Sequence, residues 1–507
     1  MLAVTVDAEK LDYDIHSLVK AFYPEETVKI ISPSMESIKA EALKKHLFMD
    51  IVLRGGKQKI SFYIKDSEEK PQLQKEVSLF IGNMFGDDGR PGKEGKNLFK
   101  SLLYQCLCEY SKKTLPWGNL TGIRPTKIAM GMLSLGKSHE EIVRSMEETH
   151  FVSRKKAELS IEIARREREL LSFLHGKEGY SLYIGIPFCP TTCLYCSFTS
   201  YPICAYEGLV DRYIECLCQE MDYVAKAYRG KVLDSVYIGG GTPTTLSAER
   251  LEKLLSHLER TFDLTALLEF TVEAGRADSI TREKLAVLKS HGVTRISINP
   301  QTMKEETLKL IGRRHTVEQV KEAFFLGRDM GFDNINMDLI LGLPGENEED
   351  VARTVSEIEK LNPDSLTVHS LAVKRASKLK EWILENGMDY LYNTEETMDI
   401  AAAGAKAMDM YPYYLYRQKN MTGNLENVGY AREGKYGIYN ILIMEEVQTI
   451  MALGAGSISK ILLPGGRIER ADNVKDVRLY IEKLEEMLKR KSALFQLQKN
   501  EGWVGEL

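Results

Sequence analysis

Three cysteines lie in the stretch Tyr183-Ile-Gly-Ile-Pro-Phe-Cys-Pro-Thr-Thr-Cys-Leu-Tyr-Cys-Ser-Phe198, spaced C-x3-C-x2-C at Cys189, Cys193 and Cys196. They follow an apolar, strand-like run and so share one short loop. Full protein ligation of a [4Fe–4S] cluster takes four cysteines, one for each iron. Three local thiolates leave one iron open to a ligand that brings its own amine and carboxylate. S-adenosylmethionine (SAM) is such a ligand, and its sulfonium must lie against the cluster to receive an electron. Structural zinc would ask for four ligands, commonly from paired C-x2-C units, and no second pair follows at a suitable spacing. A disulfide framework is disfavoured in a long chain whose start, Met1-Leu-Ala-Val-Thr-Val-Asp-Ala-Glu-Lys10, lacks the regions of a secretory signal.

Further candidates recur after apolar runs. Gly239-Gly-Gly-Thr-Pro-Thr244 departs from the G-x-G-x-x-G dinucleotide spacing. Its glycines let the backbone approach a ligand closely, so that exposed N–H and C=O groups can grip a bound amino group. Glu273 ends another apolar run, where a carboxylate can hold ribose hydroxyls. Gln301 closes Ser297-Ile-Asn-Pro-Gln301, and Arg313 follows twelve residues later. Asp338 stands alone in Asn336-Met-Asp-Leu-Ile-Leu-Gly-Leu-Pro-Gly345, either as a satisfied core group or as a ligand contact. Tyr183 precedes Cys189 by six residues, and core packing is its simplest role.

The elements that must position these groups alternate in type. Strands are predicted at 182–186, 235–238, 268–272, 295–298, 335–341 and 365–369, with helices at 208–228, 248–261, 281–291, 304–330 and 348–361. Strands separated by helix-length segments imply parallel βαβ units, and six of them a partial or full (β/α) barrel. Such barrels carry their reactive groups on loops at the C-terminal strand ends. The candidates above fall there. The expected fold class is α/β: an N-terminal α+β domain over 1–175, a partial (β/α)6 barrel over 176–374, and a mostly helical C-terminal region over 375–507. Within the first part, strands are expected at 4–6, 46–53 and 59–64, and helices near 70–84, 97–113, 126–149 and 153–175. Gly86, Gly89, Gly92 and Gly95, with Pro91, mark 86–96 as a loop. The stretch 165–169 reads as a solvated helix face, the region beyond 375 as helices and irregular segments, and 477–489 as a packed amphipathic helix. Pro125 suits the first turn of a helix beginning at Thr126.

The 507 residues suffice for two or three domains. Hydrophobic content of 43% and charged content of 28% are those of a soluble globular protein. No apolar run reaches spanning length, and a net charge of −5 gives no electrostatic reason to expect nucleic acid. Eight cysteines, three of them in one loop, fit a reducing cytoplasm. Cys106, Cys108, Cys216 and Cys218 read as buried packing. Cys204 does too, although it lies near enough to the loop to supply a fourth thiol.

Taken together, Tyr-Ile-x-Ile-Pro-Phe-Cys-x3-Cys-x-Tyr-Cys, Gly-Gly-Gly-Thr-Pro-Thr, Glu273, Gln301, Arg313 and Asp-Leu-Ile-x-Gly-Leu-Pro resemble the motifs of the oxygen-independent coproporphyrinogen III oxidases (dehydrogenases). The resemblance covers about 180–460 and points to a Gram-positive branch with its own N-terminal extension. It implies a [4Fe–4S] cluster on Cys189, Cys193 and Cys196. It also implies SAM contacts at Tyr183, Gly240, Gly241, Thr242, Glu273, Gln301, Arg313 and Asp338, with Ala372 and Ile458 as looser matches. The implied reaction removes a hydrogen from the β-carbon of a coproporphyrinogen III propionate. Carbon dioxide and one electron then leave to give a vinyl group. A reduced flavodoxin or ferredoxin-type donor is implied as well. Four propionates would need cationic anchors, for which Arg313, Arg314, Lys374 and Arg375 are candidates. Two positions depart from the pattern. Phe198 stands where active oxidases carry a further cysteine, and Gly185 where they carry histidine. The Cys-Ser-Phe ending is closer to the haem chaperones of the family, so haem delivery is the rival expectation, with radical chemistry on another tetrapyrrole as a third.

Overall fold

Between Leu2 and Ser78 five strands form one mixed sheet in the order β2-β1-β3-β4-β5: β1 (Leu2–Val6), β2 (Val28–Ile31), β3 (Phe48–Arg54), β4 (Lys59–Lys65) and β5 (Pro71–Ser78). β1 runs parallel to β2 and β3, and β3, β4 and β5 pair antiparallel. The structure, a computed structural model, describes residues 2–6, 11–24, 26–31, 48–54, 59–65, 71–78, 92–122, 124–374, 377–387, 390–418 and 421–501. The chain divides into two units, Met1–Ala164 with Arg417–Glu426, and Arg165–Tyr416 with Asn427–Leu507.

In the first unit α1 (Asp12–Phe22) buries Ile15, Leu18, Val19 and Phe22. They pack with Phe99, Leu103 and Leu107 of α2 (Lys93–Ser111). The expected strands are present. The helix expected near 70–84 is not: 71–78 is β5, and the glycine-rich loop lies mostly outside the described residues, with α2 already under way at Lys93. The helix expected over 126–149 is two, α3 (Thr126–Ser134) and α4 (His139–His150). Ser138 restarts the chain there: its hydroxyl accepts from the Glu141 amide while Glu141 accepts from the Ser138 amide, a capping box. α5 (Arg154–Leu171) follows. Trp117 is fully buried and donates through Nε1 to Glu426 at 2.7 Å, and the other Glu426 oxygen takes the Lys156 ammonium at 2.6 Å.

The second unit holds the barrel. Its strands are β6 (Gly179–Ile186), the short pair β7 (Phe188–Cys189) and β8 (Tyr201–Pro202), then β9 (Val232–Gly240), β10 (Glu269–Glu273), β11 (Arg295–Ser297), β12 (Ile335–Leu341) and β13 (Ser365–Ser370). β6-β9-β10-β11-β12-β13 are consecutive neighbours, all parallel. β12 is buried along almost its whole length, and its run Ile-Asn-Met-Asp-Leu-Ile-Leu is the near-continuous apolar pattern of a strand covered on both faces. The crossovers are α6 (Glu207–Ala227), α7 (Ala248–Thr261), α8 (Arg282–Ser290), α9 (Glu305–Leu310) with α10 (Val317–Asp329), and α11 (Glu348–Leu361). α7 shows why such segments fold so: Leu251, Leu254, Leu255 and Leu258 form one buried stripe at helical spacing, and the Ser247 hydroxyl caps its N-terminus. The expected strands and helices are thus found, except that 304–330 is broken in two at the turn after Leu310.

Beyond 375 the structure corrects the expectation of irregular segments. Besides α12 (Leu379–Asn386), α13 (Glu395–Ala407), α14 (Ile438–Glu445), α15 (Val477–Glu482) and α16 (Leu484–Asn500), five strands extend the barrel sheet. β15 (Asn427–Ala431) adds antiparallel to β13, and β14 (Tyr411–Tyr416) adds antiparallel to β15 as the edge strand. On the opposite edge β16 (Thr449–Leu453) pairs parallel with β6, followed by β17 (Ile458–Leu462) and β18 (Ile468–Asp472). The stretch 165–169 is only partly a solvated face, because Glu167 is buried and Arg166 covers the Tyr411 ring.

Candidate active site

The cysteine loop leaves β6 and is pinned at several points. The Tyr201 amide donates to the Pro187 carbonyl, so that β7 and β8 bracket the loop. The Leu194 amide donates to Ile311, the Thr191 hydroxyl to the Gly312 carbonyl, and the Leu379 amide to the Leu194 carbonyl. All three cysteines are free thiols. Burial pushes the Cys189 thiol up to about 12 and raises that of Cys196, so iron binding must displace those protons. Cys189 Sγ lies 3.4 Å from Thr242 Oγ1, and Cys193 Sγ accepts from Arg276 at 3.8 Å. Among the described residues no three His, Cys, Asp or Glu side chains converge as on a single ion. A four-iron cluster spaces its thiolates more widely, each on its own iron.

At the neighbouring strand end, Gly241 donates to the Ile186 carbonyl and Thr242 to the Phe188 carbonyl, laying the glycine loop along the cysteine strand. A Cβ on Gly241 would meet Phe188 O at 2.6 Å, Ile186 O at 2.9 Å and Cys189 Sγ at 3.0 Å. Gly240 adopts φ +110°, which side-chain-bearing residues rarely take. Register sets Tyr183 of β6 opposite Tyr237 of β9. Together with Tyr439 they form a stack of three near-parallel rings, 4.5 to 6.2 Å between centroids. The Tyr237 hydroxyl donates to Glu273 at 2.6 Å. Burial raises the Glu273 carboxyl to about 7, while the Tyr237 hydrogen bond pulls it back only in part. Burial pushes Asp338 the same way, yet His369 at 3.8 Å, the Asn336 amide at 2.7 Å and Arg295 outweigh it and lower its pKa.

Gln301 holds φ +68° and is locked there by two backbone bonds, its N–H to the Asp338 carbonyl and its C=O from the Ile340 amide. A residue of this type in the left-handed region costs energy that surrounding structure must offset, and such positions cluster at ligand sites. Its Oε1 is buried without a hydrogen-bond partner, as are Asn299 Oδ1 and Ser297 Oγ at alternate positions of the same run. Buried acceptors are normally satisfied, so this row fits a ligand that brings N–H or O–H donors, as an amino group and ribose hydroxyls do. Three free thiols, a glycine cradle and orphaned acceptors therefore fit a cluster with SAM.

The remaining expectations divide. Arg313 is buried, donates to the carbonyls of Gly275 and Asn299, and faces Cys193 and Tyr195. Arg314 is exposed, Lys374 is half-buried just beyond β13, and Arg375 lies outside the described residues. Ala372 follows Leu371, whose amide donates to Leu341. Ile458 opens β17 opposite Asp472 and is 44% exposed. The glycine segment before it lies against β6 and the end of the cysteine loop: a Cβ on Gly454 would meet Gly185 O at 2.5 Å, and one on Gly456 would meet Thr199 Oγ1 at 2.6 Å. A buried network holds this segment. Glu220 accepts from the Gly454 amide, Tyr480, Asn473 and Lys491, and the Tyr213 hydroxyl joins Gly185 O to the Ala455 amide. Gly185 faces Leu453 O at 3.2 Å from its notional Cβ, and Phe198 is 75% exposed. Cys204, expected to be buried, is exposed in a single turn after β8. Tyr237, Tyr439, Arg276, Asn299 and His369 were not singled out from sequence. Only Tyr237 carried a usable signal, a tyrosine two residues before the glycine run.

The model of the radical SAM superfamily matches residues 183–358. An oxygen-independent coproporphyrinogen-III oxidase-like protein, HemZ of Bacillus subtilis (strain 168), is 44% identical over 399 residues, 78% of this chain and 79% of that protein. The heme chaperone HemW of the same organism is 33% identical over 308 residues, 60% of this chain and 76% of the relative. Among solved structures, the coproporphyrinogen III oxidase HemN from Escherichia coli is similar with a TM-score of 0.49 at 23% identity, over 63% of this chain and 72% of that one. The chain belongs to the radical SAM proteins, which work with a [4Fe–4S] cluster and S-adenosylmethionine, and within them to the family of the oxygen-independent coproporphyrinogen-III oxidase-like proteins.

Proposed function

We propose that this chain is a radical SAM enzyme that oxidatively decarboxylates propionate side chains of coproporphyrinogen III to vinyl groups, giving protoporphyrinogen IX. The observation that carries the reading is the 44% identity to an oxidase-like protein, sustained over 78% of the chain and so well beyond the barrel. Cluster and SAM together supply the radical that removes a hydrogen; the residues hold, orient and shield. Cys189, Cys193 and Cys196 ligate three irons. Gly240, Gly241 and Thr242 receive the amino group of SAM, and Glu273 its ribose. Gln301, Arg313 and Asp338 complete the cradle, with Tyr183 packed beneath and Ala372 and Ile458 at its margins. Lys374, half-buried at the strand ends, is suited to a substrate propionate. A reduced flavodoxin or ferredoxin-type protein supplies the electron.

Two observations favour a second reading. Phe198 occupies the place of the extra cysteine of active oxidases, and relatives named as heme chaperones are 33% identical. In that reading the same cofactors are held while haem is bound and delivered unchanged. An anaerobic assay separates the two. Reconstituted protein, SAM, reductant and coproporphyrinogen III should yield 5′-deoxyadenosine and vinyl product together. Stoichiometric haem binding without conversion, under conditions where an established oxidase turns over, refutes the enzyme reading.

A further inference from the structure

Arg276 lies three residues beyond Glu273, in the loop after β10, and is 3% exposed. Each of its three guanidinium nitrogens donates. Nε and Nη2 donate to Asp278 Oδ1 and Oδ2 at 2.9 and 2.6 Å, the paired geometry that fits a planar fork to a carboxylate. Nη1 donates to the Thr191 hydroxyl at 2.9 Å and to Cys193 Sγ at 3.8 Å. The Thr191 hydroxyl in turn donates a hydrogen bond to the Gly312 carbonyl, so the loop between Cys189 and Cys193 is tied on two sides. Asp278 fixes the fork from behind, with Nδ1 of the buried His315 ring 3.7 Å from Asp278 Oδ1. A guanidinium anchored in this way cannot swing away from the sulfur.

We propose that Arg276 is a positioning residue for the cluster: its Nη1 donates a hydrogen bond to the Cys193 sulfur and raises the potential at which the cluster takes up an electron. The proposal rests on Cys193 being a cluster ligand. Hydrogen bonds to ligand sulfurs and nearby net charge are among the protein's means of setting iron–sulfur potentials. Reduction adds one negative charge to the cluster, and a donor cation stabilises the reduced state more than the oxidised one. Asp278 acts in the opposite sense, since its carboxylate neutralises part of the guanidinium charge.

This pairing gives a test that a staple alone would not pass. The full-length parent, Arg276→Gln and Asp278→Asn are reconstituted anaerobically without SAM. Iron and sulfide are counted, and midpoints are read by redox titration followed by electron paramagnetic resonance. Arg276→Gln should shift the midpoint to more negative values and Asp278→Asn to more positive ones, with iron content kept. Shifts of the same sign, or no shift in Arg276→Gln at full iron content, overturn the proposal. Should Arg276→Gln fail to assemble a cluster, Arg276→Lys decides. It keeps the charge but cannot hold both Asp278 and the sulfur, so a smaller negative shift is expected, and an unchanged midpoint refutes the role. Full iron in Cys193→Ala would instead remove the ligand assignment on which the proposal rests.

Discussion

Replacing Lys491 by methionine tests how the glycine segment beside the site is held. Lys491 and Glu220 are both fully buried, with Nζ 2.7 Å from Glu220 Oε1 and 2.9 Å from Asn473 Oδ1. Removing one partner of a buried ion pair costs about 3–5 kcal/mol, because the other charge stays buried without compensation. Here Glu220 keeps three neutral donors, the Gly454 amide, Tyr480 and Asn473. The expected loss is therefore near the lower end, about 3 kcal/mol. Combining Lys491→Met with Glu220→Gln removes both charges and should recover at least half of the loss. Urea unfolding followed by circular dichroism reads the stability. Hydrogen exchange reads the segment itself, since the Gly454 and Ala455 amides bond to Glu220 and Tyr213 and should exchange faster in the single variant. A loss under about 1 kcal/mol, or a double variant less stable than the single one, would mean that the Lys491–Glu220 pair does not hold the segment.

Gly241→Ala should prevent close approach of the glycine loop and lower SAM binding at least tenfold by calorimetry. Gly208→Ala, where nothing lies within 4 Å of the added carbon, should leave it unchanged. Equal affinities in the two variants would remove Gly241 from the cradle. Glu273 keeps its proton in the folded chain up to about 7, against 4.5 when unfolded. The folded state thus binds more protons between these values, and stability should fall as pH rises through that window, by at most about 3 kcal/mol. Glu273→Gln should flatten the profile, and an identical pH slope in both proteins contradicts the assignment.

The barrel was legible because its strands are buried on both faces and its helices carry one apolar stripe. Both patterns are set by local burial, as β12 and α7 show. Beyond 375 even interior strands were missed, β15 and β16 being buried throughout yet separated from the β/α alternation, and two edge strands were obscured by their composition. β5, Pro-Gln-Leu-Gln-Lys-Glu-Val-Ser, is rich in helix-favouring Gln, Lys and Glu, and only its pairing with β4 makes it a strand. β14 carries Pro412, which argues against a strand, but the proline sits at an edge and beside a register shift, where a missing N–H is tolerated. The site divides similarly. Cysteine spacing and glycine runs announce themselves along the chain, whereas Tyr439 and Arg276 matter through partners far away in sequence, Tyr183 and Cys193. Cys204 shows the reverse error: its type suggested burial, and the turn after β8 exposes it.

The N-terminal unit is not finished by the N-terminal part of the chain. Glu426, which neutralises the buried Lys156 and accepts from Trp117, comes from the connection between β14 and β15, 270 positions after Lys156. On the ribosome, at about 5–20 residues per second, that carboxylate emerges roughly 15–55 s after its ammonium. Until then the nascent unit must either leave Lys156 in water or bury it without a counter-charge. Its polar core thus closes only after the barrel strands have been synthesised. A chain cut anywhere between α5 and β15 would strand a lysine on one fragment and a glutamate on the other.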